Sequence, residues 1–316
     1  MSAATTPRLI IHGGMGRLEG NLDIPHKEHA YAQHRQATTR LEDFRDALTG
    51  IATDSHQVLL DEDARAAVLH ALRLLEDHPL FNAGTGSRIQ GDGKVRMSAA
   101  LMDGPRNLFS GVINVEAIRH PIDLAALLAT EEHTVLAGEQ ANAYARERGF
   151  LPHDPITPER RTEYEKLVLG KTGTVGAVAL DGSGHICAGT STGGVGGETP
   201  GRVSDAATVA GTYASEQMGV SCTGVGEQIV NQAAAAKLAT RVLDGMALPE
   251  AVRKTIAEAD ALDYRFGLIG LDRQGGMEIG QTRGVNVLFA SHDGATVRSF
   301  FDSLAEQTKS GTSQPR

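Results

Sequence analysis

The sequence predicts an α+β protein in which antiparallel sheets pack together and are covered by helices. Hairpin-type strands alternate with pairs of helices along the chain, whereas a doubly wound parallel sheet needs a helix between neighbouring strands. The 316 residues, 41% of them hydrophobic and 22% charged, are enough for a large buried core. Glycine occurs 37 times, often near strand ends, which indicates several tight loops that converge on one site.

The first half of the chain is predicted to begin with a strand and to continue mainly with helices. After Asp61 apolar residues recur at helical spacing, so Asp61 is the expected N-cap of a helix. The predicted elements are, in order, a strand at 9–12, helices at 28–48 and 61–77, a strand at 95–102, and helices at 122–130 and 135–148. Residues 151–173 carry three prolines and many charges, and are expected to form an exposed linker.

The second half is predicted to be rich in strands, with a pair of helices in the middle. The strands are expected at 174–180, 185–190, 206–212 and 217–222, and again at 266–271, 276–281 and 285–290. An alanine-rich helix at 227–245 and a second helix at 248–260 separate the two groups. The tail after these strands is expected to fray.

Charge and composition limit the partners of this chain. Thirty Lys and Arg against 39 Asp and Glu give a net charge of -9, with no basic stripe, so neither nucleic acid nor an anionic membrane is an expected partner. The N-terminal apolar run is too short for a signal peptide, and no run approaches the ~18 residues of a membrane span. Cys187 and Cys222 are expected to be buried small hydrophobes, which fits a reducing compartment. The expected location is the cytoplasm, and the expected ligand is small.

Three candidate features in the first half have ordinary structural interpretations. Gly14 and Gly16 follow a strand, but Gly20 and Pro25 delay the helix that a dinucleotide-binding fingerprint requires. His26 and His29 have a spacing that metal sites can use, yet they lie in a charged stretch typical of a solvated helix face. His12 is interpreted as a hydrogen-bonded histidine that holds the turn at the end of its strand.

Four features of the second half together supply the groups of a reaction site for an amino acid. They are Thr174 directly after Gly173, TSTGG at 190–194, PGRVSD at 200–205 and SCTGVGE at 221–227. Singly each is weak, since Thr174 alone is an ordinary strand residue and Arg202 with Asp205 alone is a surface ion pair. Jointly they offer a nucleophile, an Arg for a carboxylate, an Asp for an amine, and a strand–turn–helix junction suited to an oxyanion.

With these motifs in this order, the chain resembles the isoaspartyl peptidase and plant-type L-asparaginase family of N-terminal nucleophile (Ntn) hydrolases. IHGG and FNAGTG…MDG in the first half extend the resemblance from about residue 9 to residue 289. It implies a four-layer αββα Ntn-hydrolase sandwich, cut into an α chain of 1–173 and a β chain of 174–316. It also implies hydrolysis of β-aspartyl (isoaspartyl) peptides and L-asparagine to L-aspartate.

In this resemblance the chain cuts itself between Gly173 and Thr174, so that Thr174 becomes an N-terminus. Gly173 has no side chain to obstruct attack by the Thr174 hydroxyl on the preceding carbonyl. A free α-amine has a pKa of about 7.7–8.0, which makes it a base beside its own hydroxyl at working pH. One residue then supplies both nucleophile and base, and no histidine or aspartate triad is needed.

The resemblance assigns the other site residues by matching position. Thr192 orients Thr174, and Asn82 supports the Thr174 amine. Thr223 through its hydroxyl and Gly224 through its N–H form the oxyanion hole. Arg202 binds the substrate α-carboxylate with a planar bidentate guanidinium, and the α-ammonium is bound by Asp205 and the Gly226 carbonyl.

The resemblance requires no cofactor but implies one structural ion and one assembly. The segment LEDHPLFNAGT resembles the family's sodium-binding loop, whose ligands are backbone carbonyls; here they would come from Leu75, Glu76, His78, Phe81, Ala83 and Thr85. The assembly is a dimer of αβ units, and the substrate is a small molecule or dipeptide.

Three positions depart from the family pattern: Met15, Ser98 and Val225. They affect the expected substrate preference more than the expected mechanism. Two alternatives stay open, a glycosylasparaginase-like or Taspase-like relative that acts on a glycan or a protein, and an uncleaved glycine-loop protein that binds a small amino acid without turnover.

Overall fold

The computed structural model describes residues 5–16, 38–166 and 173–303. His26, His29, the first ten residues of the helix predicted at 28–48 and the tail after 303 lie outside the described residues. The helices of the described part are α1 Thr38–Asp61, α2 Ala64–Asp77, α3 Pro121–Leu128, α4 Gly138–Glu147, α5 Pro158–Glu165, α6 Gly226–Gln232, α7 Ala234–Leu243 and α8 Leu248–Ala261. None of these helices is long and apolar enough to cross a membrane.

The strands of the described part form two sheets. They are β1 Arg8–Gly16, β2 Met97–Asp103, β3 Leu108–Val115, β4 Val135–Ala137, β5 Val175–Leu180, β6 Ile186–Thr192, β7 Thr212–Ala214, β8 Met218–Gly224, β9 Phe266–Asp272, β10 Met277–Gln281, β11 Asn286–His292 and β12 Val297–Ser299. The larger sheet has the order β12-β11-β1-β5-β6-β2-β3-β4, and the smaller has the order β10-β9-β8-β7. The described pairings are antiparallel except that of β3 with β4.

The hairpin of β5 and β6 lies at the centre of the larger sheet. Its strands are buried throughout, and its turn is built by Asp181, whose Oδ1 accepts the N–H groups of Ser183 (2.9 Å) and His185 (3.0 Å). Carboxylates commonly stabilise turns in this way, by accepting backbone N–H groups a few residues ahead. The sequence prediction of two short strands around a turn is therefore correct for this hairpin.

Helices cover each sheet on one face, and the two sheets meet on the other. α1 and α2 pack on β1, β5, β6 and β11 of the larger sheet, while α7 and α8 pack on β7 to β10 of the smaller one. β5 and β6 contact β8, and β1 and β5 contact β9, across the space between the sheets. A large apolar core lies between the larger sheet and α1 to α3, and a second one lies between β8 and the pair α7 and α8. The chain is thus a mixed α and β protein, as the sequence predicts.

The helix boundaries of the first half differ from the prediction. α1 continues through Gly50 to Asp61, because its later turns bury Ile51, Ala52 and Leu59 against the core. Asp61 therefore ends α1 instead of capping α2. The cap of α2 is Asp63, which accepts the N–H of Ala66 at 2.7 Å.

The strand predicted at 206–212 and the helix predicted at 227–245 were wrong for a common reason. Residues 206–211 are turns, and the short strand β7 begins only at Thr212. The carbonyls of Val209 and Ala210 in these turns accept the N–H groups of Ala236 (3.1 Å) and Ala235 (2.8 Å). These two hydrogen bonds cap the start of α7 and so separate it from α6. Ala233 between the two helices takes a left-handed conformation with φ 46°.

Other elements were missed because they are short or irregular. β3, β4 and β12 were not predicted, and β4 occupies the start of the helix predicted at 135–148. The linker predicted at 151–173 contains α5, which Thr157 caps through the N–H of Arg160. Residues 167–172 of that linker lie outside the described residues.

Candidate active site

Thr174 directly precedes the central strand β5, and its side chain is buried. Its Oγ1 donates a hydrogen bond of 3.3 Å to Oγ1 of Thr192 at the end of β6. The antiparallel register explains the pair, because Val175 lies opposite Ser191 and the next residues outward are Thr174 and Thr192. The hydroxyl predicted to be the nucleophile and the hydroxyl of Thr192 are thus hydrogen-bonded to each other.

Strand alternation places Thr174 and Thr192 on the face of the larger sheet that meets the smaller sheet. Thr190 in β6 contacts Ser221 in β8 through a hydrogen bond of 2.7 Å between their hydroxyls. Side chains two residues apart in a strand share a face, so Thr192 points toward the smaller sheet as Thr190 does. By the same rule Thr223, two residues after Ser221, points back toward the larger sheet.

Gly173 precedes Thr174 and is half-buried. Among the described residues, a Cβ built on Gly173 would meet no atom within 4 Å, whereas a Cβ on Gly14 of β1 would approach the Gly173 carbonyl oxygen to 3.0 Å. β1 therefore passes closely beside the bond between Gly173 and Thr174. The bond is therefore closely packed on the side that faces β1. The side on which a side chain of residue 173 would lie is open among the described residues.

The helix α5, shortly before this bond, is anchored by buried arginines. Arg160 donates through Nε to the Gly86 carbonyl (2.6 Å) and through Nη1 to Glu163 (2.8 Å), and Arg88 donates to the same Glu163 oxygen (3.1 Å). Both arginine side chains are at most 5% exposed. The segment predicted to be an exposed linker is consequently docked on the protein as far as Glu165.

Thr223 and Gly224 lie at the end of β8, where the predicted oxyanion hole was placed. The Thr223 side chain is fully buried, and its Oγ1 has no hydrogen-bond partner among the described residues. Gly224 has φ 149° and packs so closely on Phe266 that a Cβ would overlap it. A buried hydroxyl without a partner is costly, so this donor is available to a bound oxygen.

Arg202 is held in place from two sides. Its guanidinium donates to both carboxylate oxygens of Glu227, through Nε at 2.6 Å and Nη2 at 3.0 Å, and holds the pKa of Glu227 below its ordinary value. Its carbonyl accepts the side-chain N–H of Asn114 at 3.2 Å. Asn114 has a left-handed backbone with φ 55°, which is uncommon outside glycine.

Asp205 lies in a cradle lined by two glycines. A Cβ on Gly226 would come within 2.9 Å of Asp205 Oδ1 and of Arg202 Nη2, and a Cβ on Gly211 would come within 2.5 Å of Asp205 Oδ2. That Oδ2 atom is buried with no hydrogen-bond partner in the described part of the chain. Burial raises the pKa of Asp205 to about 7, against the opposing effects of its own backbone N–H and of Arg202. Asp205 Oδ2 is thus left without a donor from the described residues at the centre of this cradle.

Asn82 lies in the loop after α2 and engages the TSTGG segment. Its Nδ2 donates to the Gly194 carbonyl (2.6 Å), its Oδ1 accepts the N–H of Arg88 (2.9 Å), and its carbonyl accepts the N–H of Gly193 (2.8 Å). These bonds fix the turn that follows Thr192. The structure therefore brings Asn82 to the loop beside the predicted nucleophile, with its amide engaged by that loop.

The predicted sodium loop follows α2 and is tightly folded. The Glu76 carbonyl accepts the N–H of Thr85 (2.7 Å), and the His78 carbonyl accepts that of Phe81 (3.1 Å). Each carbonyl oxygen has a second lone pair, and hard cations take oxygen ligands, so this donor set fits Na⁺. The Glu76 side chain is buried beside the loop, where burial raises its pKa to about 8 and its Oε1 accepts the Ser191 hydroxyl (2.6 Å).

The three departures from the family pattern all lie near these groups. Met15 is buried in β1, and Val225 is the N-cap residue of α6, its N–H bonded to the Arg265 carbonyl (2.9 Å). Ser98 in β2 lies opposite Thr192 and accepts the N–H of Asn114 at 3.2 Å.

Sequence reasoning did not single out two residues that hold the site together. Glu227, the partner of Arg202, is the last residue of the motif SCTGVGE, so the motif itself contained the signal. Asn114 lies in β3, a strand that was not predicted, and its role follows only from the contact with the Arg202 carbonyl.

Comparison with known proteins gives one family. The chain matches the family model described as Asparaginase over residues 5–171 and 168–300. It is 42% identical over 311 residues to the isoaspartyl peptidase/L-asparaginase of Synechocystis sp., covering 92% of this chain and 89% of that protein. It is 37% identical over 334 residues to the protein of the same name from Nostoc sp., covering 99% of each. The plant-type L-asparaginase of Pyrococcus abyssi is 36% identical over 295 residues, 84% of this chain and 90% of that protein.

Proposed function

The chain belongs to the asparaginase family, and on that premise we propose that it is a self-cleaving amidohydrolase with Thr174 as its nucleophile. It hydrolyses β-aspartyl (isoaspartyl) peptides and L-asparagine to L-aspartate. The names of its relatives support this activity, as does their similarity over most of the chain. The main structural support for Thr174 as the nucleophile is its buried hydrogen bond with the Thr192 hydroxyl. This pair faces the sheet that holds Thr223.

Maturation uses the same hydroxyl as turnover. Thr174 Oγ1 attacks the Gly173 carbonyl carbon, the hydroxyl proton passes to the Thr174 nitrogen, and the peptide bond breaks. The Thr174 amine is then free and Gly173 is held as an ester on Oγ1. Water then hydrolyses the ester, leaving the Gly173 carboxylate and the free Thr174 hydroxyl. This divides a single domain into an α chain of 1–173 and a β chain of 174–316. The docking of α5 through Arg160 supports a cut that leaves this helix bound to the rest of the domain.

In turnover the free α-amine of Thr174 takes the proton of its own hydroxyl as Oγ1 attacks the substrate β-carbonyl. The Thr223 hydroxyl and the Gly224 N–H stabilise the oxyanion. The leaving amine departs with that proton, as ammonia from L-asparagine or as the amino group of the remaining peptide. Water hydrolyses the acyl-enzyme to L-aspartate. Asn82 acts through the Gly193–Gly194 turn, because its amide is engaged there.

Substrate recognition uses opposite charges on one loop and the helix that follows β8. Arg202 binds the substrate α-carboxylate, with Glu227 holding its guanidinium in plane. Asp205 and the Gly226 carbonyl bind the α-ammonium, and the unpartnered Asp205 Oδ2 supports this assignment.

The finer features of the molecule follow from the same proposal. The two facing sheets with helices outside them form the four-layer αββα Ntn-hydrolase sandwich. The enzyme requires no cofactor, and a structural Na⁺ is held by the carbonyls of the 75–85 loop.

The enzyme works as a dimer of αβ units on small substrates. Its location is the cytoplasm, where Cys187 and Cys222 stay the free thiols that they are here.

The deciding experiment compares the wild type with Thr174→Ala by intact mass and by assay. The wild type should give two fragments, the smaller beginning at Thr174, and should release L-aspartate from a β-aspartyl dipeptide. Thr174→Ala should remain one chain of 33.3 kDa without activity. Cleavage of that variant at the same bond would remove Thr174 as the cleaving nucleophile. Faster turnover of a glycosylated asparagine than of the dipeptide would instead favour the glycosylasparaginase-like alternative.

A further inference from the structure

Four buried polar side chains from four strands form a continuous hydrogen-bonded series between the two sheets. His12 Nε2 contacts Ser221 Oγ (2.9 Å), and Ser221 Oγ contacts Thr190 Oγ1 (2.7 Å). Thr190 Oγ1 contacts Thr212 Oγ1, and Thr212 Oγ1 reaches the Ala206 carbonyl (2.8 Å). All four side chains are 0% exposed. We call this series the hydroxyl chain.

The two ends of the hydroxyl chain lie beside the two halves of the proposed active site. At one end, His12 pairs with Gly176 in the register of β1 and β5, two residues after Thr174. At the other end, Ala206 directly follows Asp205, which is proposed to bind the substrate amine. The hydroxyl chain therefore links the nucleophile strand to the substrate-binding loop.

The Thr212 hydroxyl lies between two acceptors at the end of the hydroxyl chain. Its Oγ1 is placed to donate to Thr190 Oγ1 and to the Ala206 carbonyl, and its single proton is shared between them. The contact of Ser221 with Thr190 allows donation in either direction, and the contact of Ser221 with His12 depends on the tautomer of the imidazole. Burial lowers the pKa of His12 to about 3, against a smaller opposing effect of the Thr174 backbone, so the imidazole is neutral.

The nucleophile strand leaves room for the contact between His12 and Ser221 because residue 176 is a glycine. A Cβ on Gly176 would overlap both Ser221 Oγ and His12 Nε2. Any other residue at that position of β5 would push the imidazole and the hydroxyl apart. The glycine at position 176 of the strand that follows Thr174 is thus required for the contact between His12 and Ser221, the first link of the hydroxyl chain.

We propose that the hydroxyl chain is a positioning device, which fixes the Asp205–Ala206 loop relative to the Thr174 strand. This inference rests on the proposed function, since it assumes that Asp205 binds the substrate amine. Satisfying buried polar groups would by itself require only local hydrogen bonds. The hydroxyl chain instead crosses from one sheet to the other and ends beside both halves of the site. Thr212 is its informative member, because it touches neither the nucleophile nor the substrate groups.

The test is Thr212→Val, which keeps the side-chain shape and removes the hydroxyl. In the processed enzyme, KM for a β-aspartyl dipeptide should rise about tenfold while kcat stays within about twofold, because ground-state binding is weakened and the nucleophile is untouched. The Kd for the product L-aspartate, measured by calorimetry, should rise by a similar factor. Thr212→Ser restores the hydroxyl and should recover both values.

Thr255→Val is the matched control. Thr255 is also fully buried and donates to a backbone carbonyl, that of Ala251 at 2.8 Å, but it lies in α8. The Thr255→Val substitution should lower the melting temperature without changing KM. Equal KM for Thr212→Val and the wild type would overturn the positioning role and leave only a stability role. If Thr212→Val is not recovered folded, Ser221→Ala breaks the hydroxyl chain one link earlier and carries the same expectation.

Failure of this inference is distinguishable from failure of the proposed function. If the wild type neither cleaves itself nor releases L-aspartate, the proposed function fails and the positioning role fails with it. If the wild type is active and Thr212→Val retains wild-type KM and L-aspartate affinity, only the positioning role is overturned.

Discussion

The two sides of the candidate site differ in how their polar groups are hydrogen-bonded. On the larger sheet, Thr174 Oγ1 is already bonded to Thr192, and the turn after Thr192 is fixed by Asn82. On the side of the smaller sheet, Thr223 Oγ1 and Asp205 Oδ2 are buried without hydrogen-bond partners among the described residues. A buried polar group without a partner costs about 1–3 kcal/mol.

This difference indicates that the two sides have separate tasks. In the proposed mechanism, the larger sheet positions the nucleophile Thr174 through contacts that exist before substrate arrives. The smaller sheet and its loop keep polar groups unpaired, so that the substrate and the developing charge would become their partners. Preorganised groups of this kind stabilise a transition state without reorganising during the reaction. Substitutions on the two sides should therefore fail in different ways.

The largest effect is expected for Thr223→Val, which removes the unpaired hydroxyl and keeps the shape. Loss of one oxyanion donor typically lowers kcat by about 10²–10³, and KM should change much less because Arg202 and Asp205 are intact. The assay must use only the processed fraction, with Thr223→Ser as the control that retains a hydroxyl. A processed Thr223→Val enzyme with near wild-type kcat would leave the oxyanion to backbone groups.

A smaller effect is expected for Arg202→Lys, which keeps the charge but loses the planar bidentate fork. Catalytic efficiency on a β-aspartyl dipeptide should fall by about tenfold or more. Arg241→Lys is the matched control, because Arg202 and Arg241 are each 13% exposed and each pairs with a glutamate at 2.6 Å. Equal kinetics of the two lysine variants would make Arg202 a structural ion pair only.

The cost of keeping Asp205 unpaired should be visible in stability. Its folded pKa is about 7, above the ordinary value near 3.9, so the folded state binds the extra proton between those values. Wild-type stability should therefore fall as pH rises from about 4 to about 7. Asp205→Asn removes this loss, and should become the more stable protein above pH 7 by roughly a few kcal/mol.

That measurement is best made by urea unfolding in a Thr174→Ala background, so that both proteins are single chains. If the free energies of unfolding of the two proteins change with pH in parallel over this range, the pKa of Asp205 is not raised in the folded state. In the processed enzyme, Asp205→Asn should also raise KM, since the partner of the substrate amine is lost.

The smallest effect on folding is expected at Gly173, on the side of the nucleophile. Because a Cβ there meets no atom of the described residues within 4 Å, Gly173→Ala should change the free energy of unfolding by less than about 0.5 kcal/mol. Self-cleavage should nevertheless slow, since the methyl group lies beside the attacked carbonyl. Gly14→Ala is the contrast, because it has φ 100° and packs against Gly173. A clear loss of stability in Gly173→Ala would mean that the space beside Gly173 is smaller than the structure indicates.

Local sequence signals predicted the nucleophile hairpin well. The strands at 174–180 and 185–190 follow from β-branched and small apolar residues around the Asp181 turn, and the structure places them within one or two residues of that prediction. The motifs around Thr192, Arg202, Asp205 and Thr223 were also visible, because each is a short glycine-containing junction. What joins them is not local, since Glu227 reaches Arg202 across 25 positions.

The errors arose where tertiary contacts override local preference. The alanines around Ala233 contain no helix-breaking residue, and the break exists because the turn at 209–210 caps the second helix. The same turn contains Val209 and small apolar residues that read as a strand. Neither error could be corrected without knowing that the two segments meet.

The position of β1 has a consequence for the mature enzyme. β1 belongs to the part before the proposed cut, yet it is hydrogen-bonded on one side to β5 and on the other to β11, both from the part after it. Cutting one peptide bond changes none of these pairings, but it changes what unfolding produces. The uncut chain unfolds to one molecule, whereas the cut chain unfolds to two that must find each other again. By mass action the melting temperature of the mature enzyme should rise more steeply with protein concentration than that of the uncut chain.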